Sequence, residues 1–93
     1  MTTAIVFHEV KDGQVWAKAW RSGPGSRHEL FSKIGVKART FRDPKNPNST
    51  GLIFGIPDMS AFDALLASLE GKRAMDEDGL KLETLRVLTE FSP

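Results

Sequence analysis

The sequence predicts an α+β fold, an antiparallel sheet that carries its helices on one face. Three observations lead there. Stretches of β-branched and aromatic residues alternate with stretches whose apolar residues recur every three or four positions, the two periods that separate strand from helix. The strand-like stretches lie near both ends of the chain and as a close pair in its middle. Gly-, Pro- and Asn-rich runs fall between the stretches, where the chain must turn.

Ala4 to Val10 (Ala-Ile-Val-Phe-His-Glu-Val) is the first predicted strand. Ile5 and Phe7 share one face and Ala4, Val6, His8 and Val10 the other, so both faces need cover. The next stretch has two readings. Asp12-Gly13 between apolar runs is a hairpin signal that makes Val15 to Trp20 a second strand. Alternatively, Asp12 caps a helix from about Gly13 to Ser22, with Val15, Trp16, Ala19 and Trp20 on one face. Local sequence leaves the two nearly even.

Gly23-Pro24-Gly25 breaks any regular element. Ser26 and Glu29 have capping-box spacing at the start of a short helix bearing Leu30, Phe31 and Ile34, and Gly35 ends it. Val36 to Arg42 reads as a strand, Asp43 to Ser49 as a Pro- and Asn-rich loop, and Thr50 to Ile56 as an apolar strand with Leu52, Phe54 and Ile56 on one face. Together they make a hairpin. Asp58 caps the strongest helix, whose face is Met59, Phe62, Leu65, Leu66 and Leu69. Gly71 weakens that helix, and a turn or two from Lys72 to Asp78 ends at Gly79. Lys81 to Phe91 is the last strand, with Leu85, Val87 and Phe91 on one face and Leu82 and Leu88 on the other.

If the stretch after Asp12 is helical, the order is β-α-β-β-α-β, the ferredoxin-like plan with both helices on one side of the sheet. That plan leaves one sheet face bare, although the strands carry apolar residues on both. A second copy of the chain, docking by an isologous contact, is the simplest cover.

Length and composition narrow the function. Ninety-three residues support a single domain, 1–93, and its 40 % hydrophobic and 27 % charged residues are ordinary for a globular chain. Thirteen basic residues against 12 acidic ones leave a net charge of +1, which argues against binding nucleic acid or a membrane surface through bulk charge. The stretch Thr50-Gly51-Leu52-Ile53-Phe54-Gly55-Ile56 also lacks the Lys/Arg-Gly-Phe-type motif of RNA-recognition domains. Cysteine and tyrosine are absent, and the two histidines stand far apart, so no thiol chemistry and no metal site is expected. Met1 to Val10 has no basic lead-in, and no run approaches the roughly 20 apolar residues of a membrane span, so a cytoplasmic protein is expected.

The run Phe7-His8-Glu9-Val10-Lys11-Asp12, followed by Trp16 and Trp20, is similar to the opening of small dimeric α+β barrel proteins. These resemble the antibiotic-biosynthesis-monooxygenase type and its uncharacterised, stress-responsive or "cyclase"-labelled relatives. The similarity continues through Gly35-Val36, Phe41-Arg42-Asp43, Asn46-Pro47-Asn48, Asp58, Phe62, Ser68-Leu69-Glu70, Ala74-Met75 and Gly79, so it spans nearly the whole chain. It implies a ferredoxin-like subunit whose sheet packs on that of its mate to close a barrel. It also implies a small cleft between sheet and helices, and it favours the helix after Asp12. Gly23-Pro24-Gly25 departs from the pattern by interrupting what is usually a longer first helix. The group includes cofactor-free quinone-forming oxygenases, haem-degrading enzymes, isomerases and proteins of no known activity. The Asn, Trp and His that haem-degrading members set around the porphyrin cannot be placed on matching positions here, so no cofactor is expected.

Within that frame His8 is the sharpest candidate. A strand histidine titrates near neutrality and can act as a general base, although a hydrogen-bonded structural histidine is the plainer reading. Glu9 points to the other face and cannot orient it; Asp12 is the nearest acid that could. Trp16 and Trp20, one helical turn apart, can wall a flat ligand or simply fill the core. Arg39 and Arg42 lie on opposite faces of the second strand; one of them, Arg39 by preference, can steady developing negative charge, although guarding an edge strand is the plainer reading of both. Phe54, Phe62 and Met75 can line the cleft or the core. Asp76-Glu77-Asp78 reads as a solvated helix end. Two functions follow: a monooxygenase- or cyclase-like dimer acting on a small aromatic or polyketide-like ligand, or a non-catalytic stress-response, ligand-sensing or regulatory dimer.

Overall fold

A computed structural model describes residues 1–93. The elements are β1 (Thr2–Val10), α1 (Gly13–Ala19), α2 (Arg27–Ser32), β2 (Lys37–Arg42), β3 (Ser49–Ile56), α3 (Met59–Ala67), α4 (Leu69–Glu77) and β4 (Leu80–Thr89). The strands form one sheet in the order β2-β3-β1-β4, and every neighbouring pair is antiparallel. With α1 and α2 in the first crossover and α3 and α4 in the second, this is the ferredoxin-like plan.

The stretch after Asp12 is a helix, and tertiary contacts decide it. Asp12 Oδ1 accepts from Gln14 N at 2.9 Å, as an N-cap should. Asn48 Oδ1, from the β2–β3 loop, accepts from Gly13 N at 2.7 Å. Gly13 lies so close to that loop that a Cβ would sit 2.0 Å from the Pro47 carbonyl oxygen. The helix ends at Ala19, short of Ser22, and buries Trp16 and Trp20 while leaving Val15 exposed. Ser26 caps α2 through Glu29 N, but the Glu29 carboxylate reaches back to Gly25 N, one residue beyond the reciprocal capping-box bond.

The long helix predicted after Asp58 breaks at Ser68, not at Gly71. Ser68 is extended, its hydroxyl donates to Leu65 O, and its oxygen accepts from Gly71 N at 3.0 Å, so it caps α4. Gly71 is what the break requires: a Cβ there would lie 2.0 Å from the Leu65 carbonyl oxygen. Leu69, past the break, is 72 % exposed and leaves the apolar face that Phe62 anchors. Phe91 lies beyond β4 and is exposed, so it does not extend the face of Leu85 and Val87.

One face of the sheet meets the helices. Ala4, Val6, His8 and Val10 of β1 and Thr50, Leu52, Phe54 and Ile56 of β3 are buried there. The aromatic rings of Trp20, Phe31, Phe54 and Phe62 meet in the middle of that layer. The other face is open. Ile5, Phe7, Phe41 and Leu88 are each between 40 % and 49 % exposed. Phe7 and Phe41 both pair with Gly51, one from each side, and the Phe7 ring lies beside the glycine.

Gly71→Ala should force α3 and α4 apart at the break. The expected cost is about 1–3 kcal/mol, the range for overpacking a fitted site, read as a lower urea midpoint with an unchanged slope.

Candidate cleft between sheet and helices

The ferredoxin-like sheet and its helices enclose a cavity of about 80 Å³. Its wall is mostly hydrophobic. Of the residues singled out from sequence, His8, Trp16, Trp20, Phe54, Phe62 and Met75 all lie on it. Arg39 does not. Arg39 pairs with Ile53 in the sheet and lies 5.5 Å above the Phe41 ring on the open face, away from the cleft. Alternation along β2 is the reason: the residues of β2 that face the helices are Ala38 and Thr40, not Arg39. Arg42 turns to the helix side at the strand end and donates to Gly13 O.

His8 is 4 % exposed and pairs with Thr50 in the β1–β3 ladder. The Thr50 hydroxyl lies against both the His8 carbonyl oxygen, at 2.9 Å, and His8 Nδ1. A hydroxyl has one proton. Given to the carbonyl, it leaves the oxygen to accept from Nδ1–H, and donor counting then assigns the lone pair to Nε2. No protein group bonds Nε2. Burial pushes the imidazole pKa below its ordinary 6.5, against the pull of its own backbone carbonyl and of the Asp78 charge. His8 is therefore a neutral base near neutral pH.

β4 shapes this end of the cleft. Phe7 pairs with Arg86 and Glu9 with Lys81, so Leu82 to Leu85 lie opposite His8 alone. Such a bulge bends its strand. The ladder bond lost at Glu9 N is replaced by Thr84 Oγ1 at 2.8 Å. Leu80, Leu85 and Val87 complete the β4 wall, and Leu85 and Val87 stay partly exposed, so the cleft opens between β4 and α3–α4.

The acid near His8 is not Asp12, which is occupied in capping α1. It is Asp78. Asp78 is 4 % exposed, which corrects the expectation of a solvated Asp76-Glu77-Asp78 end. Arg27 grips it with Nε at 2.9 and 3.1 Å and Nη2 at 2.8 Å, and Nη2 also reaches Glu77 at 3.1 Å. Arg27 and Asp78 both line the cleft. The Asp78 hydrogen bonds push the Arg27 pKa further up, while burial pushes the Asp78 carboxyl up despite its partner. This is the pattern of a buried pair whose desolvation offsets much of its attraction. Nothing local in the sequence marks this pair, because 51 residues separate its members. Thr50 went unnoticed for the same reason, since only the β1–β3 register places it on His8.

One fully buried donor among the wall residues has no partner. Trp16 Nε1 is buried without a hydrogen bond, a cost of about 1–3 kcal/mol for a sealed donor. No three His, Asp or Glu side chains converge to hold a metal ion.

Comparison with solved structures bears on the fold. An antibiotic biosynthesis monooxygenase structure superposes with a TM-score of 0.71 at 17 % identity, covering 100 % of this chain and 99 % of that one. A Nitrosomonas europaea protein provisionally named an antibiotic biosynthesis monooxygenase gives 0.70 at 15 % identity, covering 99 % and 98 %. The chain has the fold of the antibiotic-biosynthesis-monooxygenase-like proteins. A Bacillus halodurans protein assigned to an ethyl tert-butyl ether family shares it more distantly, with a TM-score of 0.52 at 14 % identity over the full length of both chains. No family model and no curated protein matches the sequence. The structural likeness meets the expectation of an α+β fold of this type, and a fold shared by differently named proteins does not select a reaction. No helix is long and apolar enough to cross a membrane.

Two outcomes follow from the buried charges. Arg27→Met strands Asp78 in the wall and should cost about 3 kcal/mol, whereas Arg27→Met with Asp78→Leu should recover most of it, as measured by chemical denaturation. His8 supplies a pH dependence. Its folded pKa is depressed, so its contribution to stability is fully present above about pH 6.5, the unfolded value, and is lost as pH falls towards the folded one. Asp78 is shifted up and acts in the opposite sense: its contribution is present below about pH 3.8 and is lost as pH rises through the folded value. Between about pH 7.5 and about pH 5.5 the His8 effect should lower the denaturation midpoint, and His8→Gln should flatten that slope.

Proposed function

We propose that this chain works as a homodimer, sheet against sheet, whose clefts take a small apolar or aromatic ligand. His8 is its proton-handling group in monooxygenase- or cyclase-like chemistry. The observation that carries this reading is a ring-walled apolar cavity with His8 on its wall, one imidazole nitrogen held by Thr50 and the other without a hydrogen-bond partner. Such a cavity with a few convergent polar groups is the usual form of a small-molecule site.

The chemistry follows from the placement. Nε2 accepts a proton from an acidic O–H or C–H of the ligand, while Nδ1–H stays on Thr50 and holds the ring in place. The Asp78 charge steadies the imidazolium that forms. Trp16 and Trp20 give the ligand ring flat walls. The anion left on the ligand is the electron-rich partner that a cofactor-free oxygenation passes to dioxygen, or that a cyclisation closes on itself. The fold shared with structures named antibiotic biosynthesis monooxygenases supports this class of reaction.

The homodimer follows from the open face. Four large apolar side chains there are 40–49 % exposed, with Lys37, Arg39 and Arg86 beside them. A two-fold contact buries the same patch on both copies.

One observation favours a non-catalytic, ligand-sensing or stress-response dimer. The cavity of 80 Å³ is about half the ~150 Å³ of an apolar cavity that takes benzene, so a whole ring enters when the wall moves. Met75, a flexible side chain on that wall, is suited to give way.

Native mass spectrometry of the protein as purified tests the reading. The expected species is a dimer with a small retained mass. Phe7→Glu should give monomers, and His8→Ala should keep the dimer and abolish turnover of the retained molecule. A bare dimer with no affinity for aromatic probes supports the sensing or regulatory reading. A wild-type monomer removes the sheet-to-sheet contact.

A further inference from the structure

We infer that Trp16 selects the ligand by its oxygen: the indole N–H is a specificity contact that takes a carbonyl or ether acceptor of the bound molecule. This rests on the cleft being the ligand site proposed above.

The other donors of the wall are accounted for. Arg27 and Asp78 hold each other, and Thr50 holds His8 Nδ1. Trp16 is 3 % exposed and lines the cavity, and its indole nitrogen is the one buried side-chain nitrogen or oxygen atom without a hydrogen bond; that nitrogen lies behind the cavity surface, so an acceptor meets it only when the wall gives way to admit a ligand. An indole N–H can only donate, so only an acceptor satisfies it. The rings nearest to it offer little. His8 meets it edge-on with centroids 5.9 Å apart, and Trp20 is tilted at 6.3 Å. Contacts of an N–H with a π face are second-order. Unpaired buried donors are rare enough that each one needs an explanation. A phenylalanine would fill much of the same wall without a donor to desolvate. An acceptor brought by the ligand explains why the heavier, polar-tipped ring is there. It also matches the neighbouring side chain, since His8 Nε2 accepts where Trp16 donates.

The test compares acetophenone with isopropylbenzene, which have nearly the same shape and differ in the carbonyl oxygen. Absolute affinities reflect their different hydrophobicity, so the quantity read is the affinity ratio in the wild type against that in Trp16→Phe. A net hydrogen bond predicts that the ratio falls about five- to tenfold in the variant. The wild type gives a second readout that needs no variant of Trp16. The chain has two tryptophans, hence two indole N–H signals by nitrogen-correlated NMR, and Trp20→Phe assigns them. Acetophenone should move the Trp16 signal downfield and isopropylbenzene should not. If both probes bind, the ratio is the same in the two proteins and the signal stays put, the inference is overturned, the cleft remains a ligand site, and the donor is served by water or a ring face. If neither probe binds the wild type, the ligand-site reading fails and the inference fails with it.

Discussion

The packing of this molecule depends on Phe54. Its ring sits at the middle of β3, on the face covered by helices. Trp20, at the end of α1, lies 6.3 Å away, Phe31 of α2 lies 5.0 Å away and Phe62 of α3 lies 5.2 Å away. Three helical segments thus converge on one strand residue. Rings at these separations add about 0.5–1.5 kcal/mol per pair beyond the area they bury, which matters in a chain of this length. The cluster also explains the shape of the first crossover. Two short helices separated by Gly23-Pro24-Gly25 replace one long one, yet Trp20 and Phe31 stack at 5.7 Å, with planes 11° apart, across the interruption.

The same packing leaves β4 less covered. Phe54, Phe31, Trp20 and Phe62 gather the helices over β3 and β1, while the β4 side chains Leu85 and Val87 stay partly exposed. The gap that results is the cleft. The bulge of β4 opposite His8 adds to it, because a regular ladder would close a strand onto β1 at that level. Cavity and histidine therefore have a common origin in imperfect pairing at the edge of the sheet. Functional sites are where such departures from regular packing are expected.

Polar groups inside the molecule collect at one end of the cleft. His8 and Thr50 belong to the central strands, Arg27 and Asp78 to the ends of α2 and α4, and Trp16 to α1. Each costs desolvation, and most repay it through a partner. The interior is otherwise apolar, so the low local dielectric strengthens the bonds that are made and raises the penalty on the one that is not.

The two faces of β1, the apolar faces of β3 and α3, the caps at Ser26 and Asp58, and the Asp43–Ser49 turn were legible in the chain, because each rests on period or on contacts within a few residues. Six cleft residues were legible for the same reason: they are the large apolar or ring side chains on faces whose burial the period predicts. Tertiary structure decided the rest. Whether residues 13–19 form helix or strand depended on Asn48 and Pro47 of a distant loop. Breaking the second helix at Ser68 depended on how closely Gly71 approaches Leu65. The surroundings of His8 depended on strand register and on a buried acid that follows two exposed ones, Asp76 and Glu77. A sequence read locally senses which side chains seek an interior. Which polar groups meet there is settled only when segments far apart in the chain are packed together, and the chemistry of this cleft depends on those meetings.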